Sequence, residues 1–494
     1  MSTEGSPTPP TFANGTQLFV RVVALAHLFA FSSFWVQASG LIGPHGVLPA
    51  GQFFSMAYKE LGLRAFYEAP SLCWLFGSAH FLDLLCAAGV AFSLLLLAGY
   101  MQAVSLAALW ICYLSLCSAG QIFMDFQWDS LLLESTLIAI FLVPWRAGRG
   151  HLGYEPPKLA RYLSWWLLFR LMFLSGAVKL TSGDPTWRSL TALSFHYQTQ
   201  PLPTPLAWYA NLLPLWFQKA SCAAMFAVEL GAPFLLLAPR RARHAAALSL
   251  IALQLLIALT GNYAFFNLLT IGLCLTCLDD DWWRRLHWGV EAVREGERGV
   301  PRRGVRATAT RWFAAFSVGI TFFETAAALS GTAARSPIVR TVAEAVGPFR
   351  SFNDYGLFAV MTVERPELVI EGSDDGTDWR EYSLPYKPGE LARRPPWVAP
   401  HQPRLDWQLW FAALGPSDSN PWVGTLCEKL LRGEGDVASL FARNPFPDHP
   451  PLYMRAVRYR YEFTSPAERT RTGNWWRRTP IDFYIPPVSL KKEQ

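Results

Sequence analysis

In the stretch SLCWLFGSAHFLDLLCAAGVAFSLLLLAGYMQAVSLAALWICYLSLCSAG (residues 71–120), two apolar segments of helix length follow one another, and Asp83 is the only formally charged residue. A helix of roughly 20 apolar residues spans the hydrocarbon core of a bilayer. Comparable segments recur along the chain and stop near residue 331. We therefore predict a polytopic α-helical membrane bundle of about nine spans, at residues 18–37, 71–98, 101–120, 129–145, 162–180, 217–238, 244–260, 262–278 and 312–330.

The composition agrees with a membrane protein. Of 494 residues, 52% are hydrophobic and only 16% are charged, whereas soluble proteins carry about a quarter charged residues. The net charge of +6 arises from Arg residues clustered in short loops, which membrane topology explains. The chain has no basic stripe interleaved with aromatic residues, so nucleic acid is excluded as a partner.

Loop charges predict the orientation of the bundle. With nine spans, the basic loops near residues 146–161, 240–243 and 284–311 lie on one side, which the positive-inside rule makes cytoplasmic. Residues 1–17 carry no basic region of a cleavable signal, and we expect them to be a cytoplasmic tail. The bundle then covers residues 18–331, with outer loops at 38–70 and 181–216 that carry Pro and aromatic residues suited to the membrane interface.

Residues 345–494, called the tail below, are predicted to form an extracytoplasmic, mostly β, sandwich-like domain. Strand patterns cover residues 355–363, 367–371, 379–386 and 452–464, and residues 471–484 are the expected hairpin partner of the last of these. Helical patterns cover residues 404–414 and 422–443. Within the bundle, Gly261–Asn262 interrupts the run 244–278, so backbone groups freed there must be satisfied by protein or by water in a cavity.

Ionisable residues inside apolar segments are costly and mark either internal charge pairs or a functional cavity. We expect Arg170 to pair with Glu134 or with Glu229. The full set of candidates for charge pairing or for lining a cavity is His80, Asp83, Glu134, Arg170, Glu229 and Glu324.

A second set of residues offers catalytic chemistry. Lys179 ends an apolar helix, where it either extends to the interface or, when desolvated, acts as a base. Asp125 and Asp129 begin a helix as caps or face an outer cavity, and His196 is a lone histidine. The chain has no phosphate loop, GxSxG or metal-ligand motif, so we expect no metal and no cofactor, although a cavity leaves room for a lipid-like or quinone-like molecule.

Several long phrases resemble the lipase maturation factor family. They include FQWDSLLLESTLIAIFLVPW (126–145), FRLMFLSGAVKLTSGDPTWRSLTALSFHYQTQPLPTPLAWY (169–209), LTGNYAFFNLLTI (259–271), FNDYGLFAVMTVERPELVIEGSDDGTDWREY (352–382) and RRPPWVAPHQPRLDWQLWFAAL (393–414). Eukaryotic members of this family are endoplasmic-reticulum membrane proteins implicated in the folding of secreted lipases. The composition here favours a bacterial member in the inner membrane.

The resemblance implies a folding factor whose partners are membrane lipids and an exported, lipase-like client. Trp and Arg dominate the energetics of protein interfaces, so we expect an exposed aromatic and Pro-rich surface of the tail to bind that client. The candidate client-binding residues are Trp379, Arg393, Arg394, Trp397, His401, Arg404, Asp406, Trp407 and Trp410.

A shorter resemblance suggests an alternative. The segment GAVKL around Lys179, with Asp184 and Trp187 following, is similar to the part of the vitamin K-dependent gamma-carboxylase that carries its catalytic Lys, although the spacing here is longer. It implies a membrane enzyme with Lys179 as base in an outward-facing cavity also lined by Asp125, Asp129 and His196.

Overall fold

The computed structural model describes residues 10–75, 79–146, 148–150, 153–288, 304–330 and 337–490. Its first ten α-helices are α1 (Ala13–Ile42), α2 (Ala50–Leu61), α3 (Ala65–Glu68), α4 (Ala79–Leu97), α5 (Gln102–Ala119), α6 (Gln127–Leu142), α7 (Lys158–Thr181), α8 (Pro185–Arg188), α9 (Leu193–Thr199) and α10 (Pro205–Asn211). They are followed by α11 (Leu215–Leu235), α12 (Arg240–Thr260), α13 (Phe266–Leu275), α14 (Asp280–Arg285), α15 (Val305–Ser330) and α16 (Pro337–Val346). Short 3-10 helices cover Gly62–Arg64, Leu72–Trp74, Gln121–Met124 and Gly347–Phe349.

Every segment predicted to span the membrane contains a helix, but the helices differ in length. In the described part of the chain, 6 helices are long and apolar enough to cross a bilayer, namely α1, α4, α5, α7, α12 and α15. Helix α6 has 16 residues and α13 has 10, and most of their side chains are buried. Helices of that length are typical of buried core elements, so the membrane bundle is established and the count of nine spans stays a prediction.

The interruption between α12 and α13 is satisfied by protein, as predicted. Thr204 N donates to Thr260 O (3.2 Å) and the Thr204 hydroxyl donates to Leu259 O (2.6 Å). Asn262 uses its amide Nδ2 to donate to Leu202 O (3.1 Å) and Pro396 O (3.0 Å). Its Oδ1 accepts from Val398 N (2.8 Å) and Ala399 N (3.0 Å), so one side chain joins the break in the bundle to the tail.

The tail combines one sheet with several helices. The strands β1 (Arg365–Ser373), β2 (Arg380–Tyr382), β3 (Tyr453–Phe463) and β4 (Trp476–Val488) form an antiparallel sheet in the order β2-β1-β3-β4. The helices are α17 (Arg404–Ala413), α18 (Trp422–Leu431), α19 (Gly435–Ala438) and α20 (Pro466–Thr472), with a 3-10 helix at Ser417–Ser419. The predicted strands at 367–371 and 452–464, their helical neighbour 404–414 and the hairpin partner near 471–484 are therefore confirmed, while 379–386 shrinks to β2.

The expected strand at 355–363 is wrong. This segment is irregular and Phe358 has a positive φ of 55°. Its apolar residues pack one by one onto the bundle instead of pairing with a neighbouring strand: the Phe358 ring contacts His196 and Tyr263 edge-on at centroid distances of 5.1 Å and 5.8 Å. Tyr355 and Met361 of this segment are buried, whereas Val360 is 68% exposed.

The predicted sandwich requires a second sheet packed on β1–β4. In the described residues, no second sheet covers these strands. Alternate side chains of a strand point to opposite faces, and Leu368, Ile370, Met454 and Ala456 belong to the core that also contains residues of α17 and α18. On the opposite face, Lys387 Nζ lies 2.7 Å from the Glu367 carboxylate. In the described residues the tail thus contains one sheet with α17 and α18 packed on one face, while Tyr461 and Phe463 pack with Trp208 of α10.

The tail packs against one end of the bundle, and the basic loops lie at the other. At the tail's end, Gln402 N donates to Ser33 Oγ (2.9 Å), and a Cβ on Gly40 would lie 2.5 Å from Asp436 O. At the other end, the Asp280 carboxylate accepts from the first amides of α1, and Asp279 pairs with Arg240 at 2.7 Å. This arrangement agrees with the predicted separation of basic loops and tail, while the side of the membrane that each faces stays a prediction.

Candidate functional site

The strongest contact of the bundle–tail interface is a buried ion pair between Asp129 of α6 and Arg404, the first residue of α17. Arg404 Nη2 lies 2.9 Å from Oδ1 and Nη1 lies 3.0 Å from Oδ2, and both side chains are fully buried. Arg404 also donates to Phe123 O at 2.6 Å, and the Tyr113 hydroxyl donates to Asp129. Burial alone would lower the pKa of Arg404, but the Asp129 carboxylate outweighs it and raises that pKa above its usual value.

A second buried pair joins Glu134 of α6 to Arg170 of α7, as one of the two predicted pairings required. The tail completes it. Arg170 Nη1 donates to Asn353 O (2.6 Å), and the other Glu134 oxygen accepts from Asn353 Nδ2 (3.1 Å) and from the Tyr355 hydroxyl (2.8 Å). The sequence analysis did not identify Asn353 or Tyr355: Tyr355 begins the predicted strand 355–363, and Asn353 lies just before it.

A third pair lies between α7 and α11. Lys179 Nζ donates to both Glu229 oxygens at 3.0 Å and 2.8 Å, and both side chains are buried. The ammonium also lies 5.4 Å from the centroid of the Trp187 ring. The alternative pairing of Arg170 with Glu229 is therefore wrong, and Lys179 neither extends to the interface nor stands free as a base, because its charge is neutralised by Glu229.

The four catalytic candidates do not gather in one cavity. Asp125 is exposed and pairs with Arg350 at 3.1 Å, while Asp129 is engaged with Arg404. His196 Nε2 lies 3.2 Å from the Tyr263 hydroxyl. Burial of the His196 ring, together with the positive charge of Lys179, lowers its pKa to about 4. Each candidate serves a different local contact, so the predicted shared site is wrong.

His80 and Asp83 also depart from the expected internal charge pairing. Both side chains are exposed on α4, and the Asp83 carboxylate accepts a hydrogen bond from the Trp35 indole nitrogen at 2.9 Å. They line the outside of the bundle, so they cannot hold helices in register from within.

Several of the predicted client-binding residues are buried inside this chain. Arg404, Asp406, Trp407 and Trp410 are all buried. The Trp407 ring packs on Trp128 with centroids 4.6 Å apart, and the Trp410 indole donates to Thr199 O at 3.1 Å. The prediction of an exposed surface over 404–410 is therefore wrong, because these Trp and Arg anchors recognise the bundle.

The rest of the phrase is partly accessible. Arg393 donates to Leu384 O (2.7 Å) and His401 Nδ1 lies 3.0 Å from Ser33 Oγ, so both have structural contacts. Arg394 is exposed and Trp397 is 54% exposed. Next to them in the sequence, Pro395 and Pro396 line a cleft of about 210 Å³.

Trp379 belongs to a separate surface on the sheet, which we call the sheet patch and define as Trp379, Arg455 and Phe483. The Arg455 guanidinium stacks 4.0 Å from the Trp379 centroid and lies 5.6 Å from that of Phe483, which is 56% exposed. Arg455 is oriented by Glu371 at 2.5 Å. The alternation of apolar and basic residues in 452–464 is the sequence signal for this face, and it was used only to predict a strand.

Asp406 has a structural role inside the tail. Its Oδ1 accepts from Tyr386 N at 3.0 Å and from Lys387 N at 2.7 Å. Burial raises the pKa of Asp406 to about 6, with those two amides acting in the opposite direction. Among the described residues, no group of three or more His, Cys, Asp or Glu side chains is arranged to hold a metal.

Two aspartates on the same segment give a matched test of the buried pair. Asp129→Asn leaves Arg404 charged and buried without its counter-ion, which costs about 3–5 kcal/mol. Asp125→Asn breaks an exposed pair to another Arg of the tail and costs at most about 1 kcal/mol. We expect thermal unfolding of the purified protein in detergent to shift strongly for the first variant and little for the second. Equal shifts would contradict the assignment.

We expect the role of Lys179 to be neutralisation of the buried Glu229 carboxylate. Lys179→Met alone leaves Glu229 buried and unpaired and lowers stability by about 3–5 kcal/mol, whereas Lys179→Met/Glu229→Leu restores most of it. Melting temperature and biological activity should recover together in the double variant. A stable but inactive double variant would show that Lys179 has a chemical role.

Stability should fall as pH rises through the titration of Asp406. Because its pKa is about 6 in the folded protein and near 4 in the unfolded chain, its contribution is complete below about pH 4 and is lost through about pH 6. The change amounts to at most about 3 kcal/mol. Denaturation measured from pH 4.5 to 7 should show a weaker dependence in Asp406→Asn than in the wild type. Asp418→Asn, an exposed change in the same domain, is the control that should retain the wild-type dependence.

Comparison with known proteins identifies both parts of the chain. Residues 15–285 match the model of the lipase maturation factor transmembrane domain, and residues 351–486 match that of the lipase maturation factor C-terminal domain. Human lipase maturation factor 2 is 38% identical over 96% of this chain and 82% of that protein. The chicken lipase maturation factor 2 is 37% identical over 96% and 81%, and bovine lipase maturation factor 1 is 33% identical over 96% and 88%.

No solved structure matches the chain. The matched models and these relatives give no support to the carboxylase-like alternative. The two models together cover the bundle and the tail, and the relatives extend over nearly the whole chain. The chain belongs to the lipase maturation factor family.

Proposed function

We propose that this integral membrane protein assists the maturation of an exported, lipase-like client, and that its tail supplies the client-binding surface. Membership of the family and the six helices suited to spanning a bilayer support the role. The observation that carries the assignment of the surface is the sheet patch, in which exposed Phe483 lies beside the half-buried Trp379 and Arg455 on a tail that is fixed to the membrane bundle.

The chemistry of the sheet patch suits a client that still exposes apolar segments. Trp and Arg are the residues that contribute most to binding at interfaces, and Arg455 is held over Trp379 by Glu371 instead of being free in solution. A prepositioned cation on an aromatic ring loses less conformational entropy on binding. Trp397, exposed near the bundle–tail interface, offers a second anchor.

The orientation of the protein follows from the same proposal. The N-terminus and the basic loops face the cytoplasm and the tail faces the exported side of a bacterial plasma membrane. The support is that Arg240 lies at one end of the bundle with the start of α1, while the tail covers the other end. Positive residues near the ends of spans favour the cytoplasmic side.

Folding assistance requires no bond to be made or broken, and the contacts of Lys179 favour that reading. A base must be free to accept a proton, whereas Lys179 already donates to both oxygens of Glu229. Asp125, Asp129 and His196 each have other partners.

Substitution of Trp379 and Phe483, the aromatic residues of the sheet patch, tests the proposal. Trp379→Ala/Phe483→Ala should lower the yield of active secreted lipase at least about fivefold, the effect of losing about 1 kcal/mol or more at an interface. The assay co-expresses a lipase client in cells that lack other family members, with the amount of membrane-inserted factor held equal. Trp397→Ala tests the second anchor separately.

Trp216→Ala, which removes a 70% exposed Trp of α11, is the matched control and should leave the yield unchanged. Removal of the whole tail is a poor test, because it would leave Asp129 and Glu134 of the bundle without tail partners. Unchanged yield in the sheet-patch variant would refute this surface while leaving the family role intact.

A further inference from the structure

An apolar groove runs along the outside of the bundle, at the far end from the tail. Helix α7 packs against both α11 and α15, and a groove of about 1000 Å³ opens between those two neighbours. Its walls are almost entirely apolar, including Leu159, Tyr162, Phe169, Phe234, Leu237 and Val318. The indole nitrogen of Trp166, which also lines it, donates to Thr321 Oγ1 at 2.8 Å, so this polar group is already satisfied.

The length of the groove matches one leaflet of a bilayer. From Leu159 to Phe169 the axis of α7 rises about 15 Å at 1.5 Å per residue, which is half of a hydrocarbon core of about 30 Å. The groove begins at the first turn of α7, on the same end as the basic loops. Tyr162 is 46% exposed there, in the position where aromatic residues mark the membrane interface.

Hydrocarbon must fill this groove in a membrane. A void along the α7 surface would forfeit the dispersion contacts of every side chain that lines it. Phe234 is 59% exposed and Leu237 is 73% exposed, so these walls are available to a lipid chain that enters from the side.

Two cations are close in sequence to residues that line the groove. Lys158 precedes Leu159 and lies one turn before Tyr162 on the same face of α7, and Arg241, the second residue of α12, follows the lining residue Leu237 by four positions. Both side chains are exposed, and within the described residues neither forms an ion pair. Their neighbour Arg240, in contrast, is paired with Asp279 and Asp281.

We propose that the groove is a binding site for one anionic phospholipid, with an acyl chain along α7 and the phosphate between Lys158 and Arg241. Clusters of basic residues beside membrane helices recognise anionic headgroups in this way. The site lies on the opposite end of the bundle from the tail and is independent of client binding. It gives the protein a fixed lipid partner in the leaflet that contains the basic loops.

Native mass spectrometry of the full chain in detergent measures the lipid directly. The probes are dioleoyl phosphatidylglycerol and dioleoyl phosphatidylcholine, which share acyl chains and differ in headgroup charge. We expect retention of phosphatidylglycerol about tenfold above phosphatidylcholine. Lys158→Glu/Arg241→Glu should abolish the preference while leaving weak retention of both lipids. The matched control, Lys59→Glu/Lys219→Glu, makes the same change in charge at exposed lysines elsewhere and should retain the preference.

The acyl chain is tested by filling the groove. Val318→Trp should lower retention of both lipids, and Leu237→Trp at the mouth provides a second variant if the first fails to fold. Leu255→Trp, on an exposed face of α12, is the control that should have no effect. Equal retention of the two lipids by the wild type would overturn the headgroup assignment, and normal retention by a folded groove-filling variant would overturn the site.

Discussion

The ion pair between Asp129 and Arg404 is the contact on which the rest of the structure depends, because it joins two parts of the chain that fold in different solvents. Asp129 begins the central helix α6 and Arg404 begins α17, and both are fully buried. An isolated charge of either sign would be expensive at this position. Since the guanidinium is planar and engages both carboxylate oxygens, the pair also fixes the direction in which α17 leaves the bundle.

A second buried ion pair of the bundle repeats this dependence on the tail. Glu134 and Arg170 neutralise each other, but their remaining hydrogen-bonding groups are satisfied by Asn353 and Tyr355. Lys179 and Glu229 pair within the bundle, and the tail covers the neighbouring loop through Met361 N, which donates to Asp184 at 2.7 Å. Bundle and tail are therefore one folding unit at this end, because neither satisfies its buried polar groups alone.

The sequence predicted those features that depend on local pattern. Long apolar runs predicted the positions of the helices, and strand-forming patterns predicted β1 and β3, with β4 as the hairpin partner of β3, because these signals are local in the sequence. The sequence indicated that Arg170 pairs with Glu134 or with Glu229. It could not decide between the two, since both choices neutralise charge equally well. The correct choice depends on how α6, α7 and α11 are arranged, and helix periodicity does not encode that arrangement.

The same reason explains the failures in the tail. Trp407 and Trp410 have the residue types of a binding surface, and they do form one, but the surface they bind is α6 and the last residue of α9. Residue type predicts that a side chain is an interface anchor; whether the partner belongs to the same chain is a property of the tertiary fold. The segment 355–363 failed in the same way, because Phe358 is buried by His196 and Tyr263 instead of by an adjacent strand.

Residues 404–410 are anchors within the chain, so their docking fixes the position of the aromatic residues of the sheet patch. The sheet packs on α17, and α17 starts at the ion pair with the bundle, so Trp379 and Phe483 stand at a fixed place relative to the membrane. In the proposed role, a client that emerges across the same bilayer would meet this surface at a local concentration set by geometry instead of by diffusion through the compartment. A flexible linker in place of the buried pair would dilute that advantage, since effective concentration falls as the accessible volume grows. In the proposed role, the cost of burying Asp129 and Arg404 is therefore coupled to function, because rigid docking holds the proposed binding surface at a fixed place relative to the membrane.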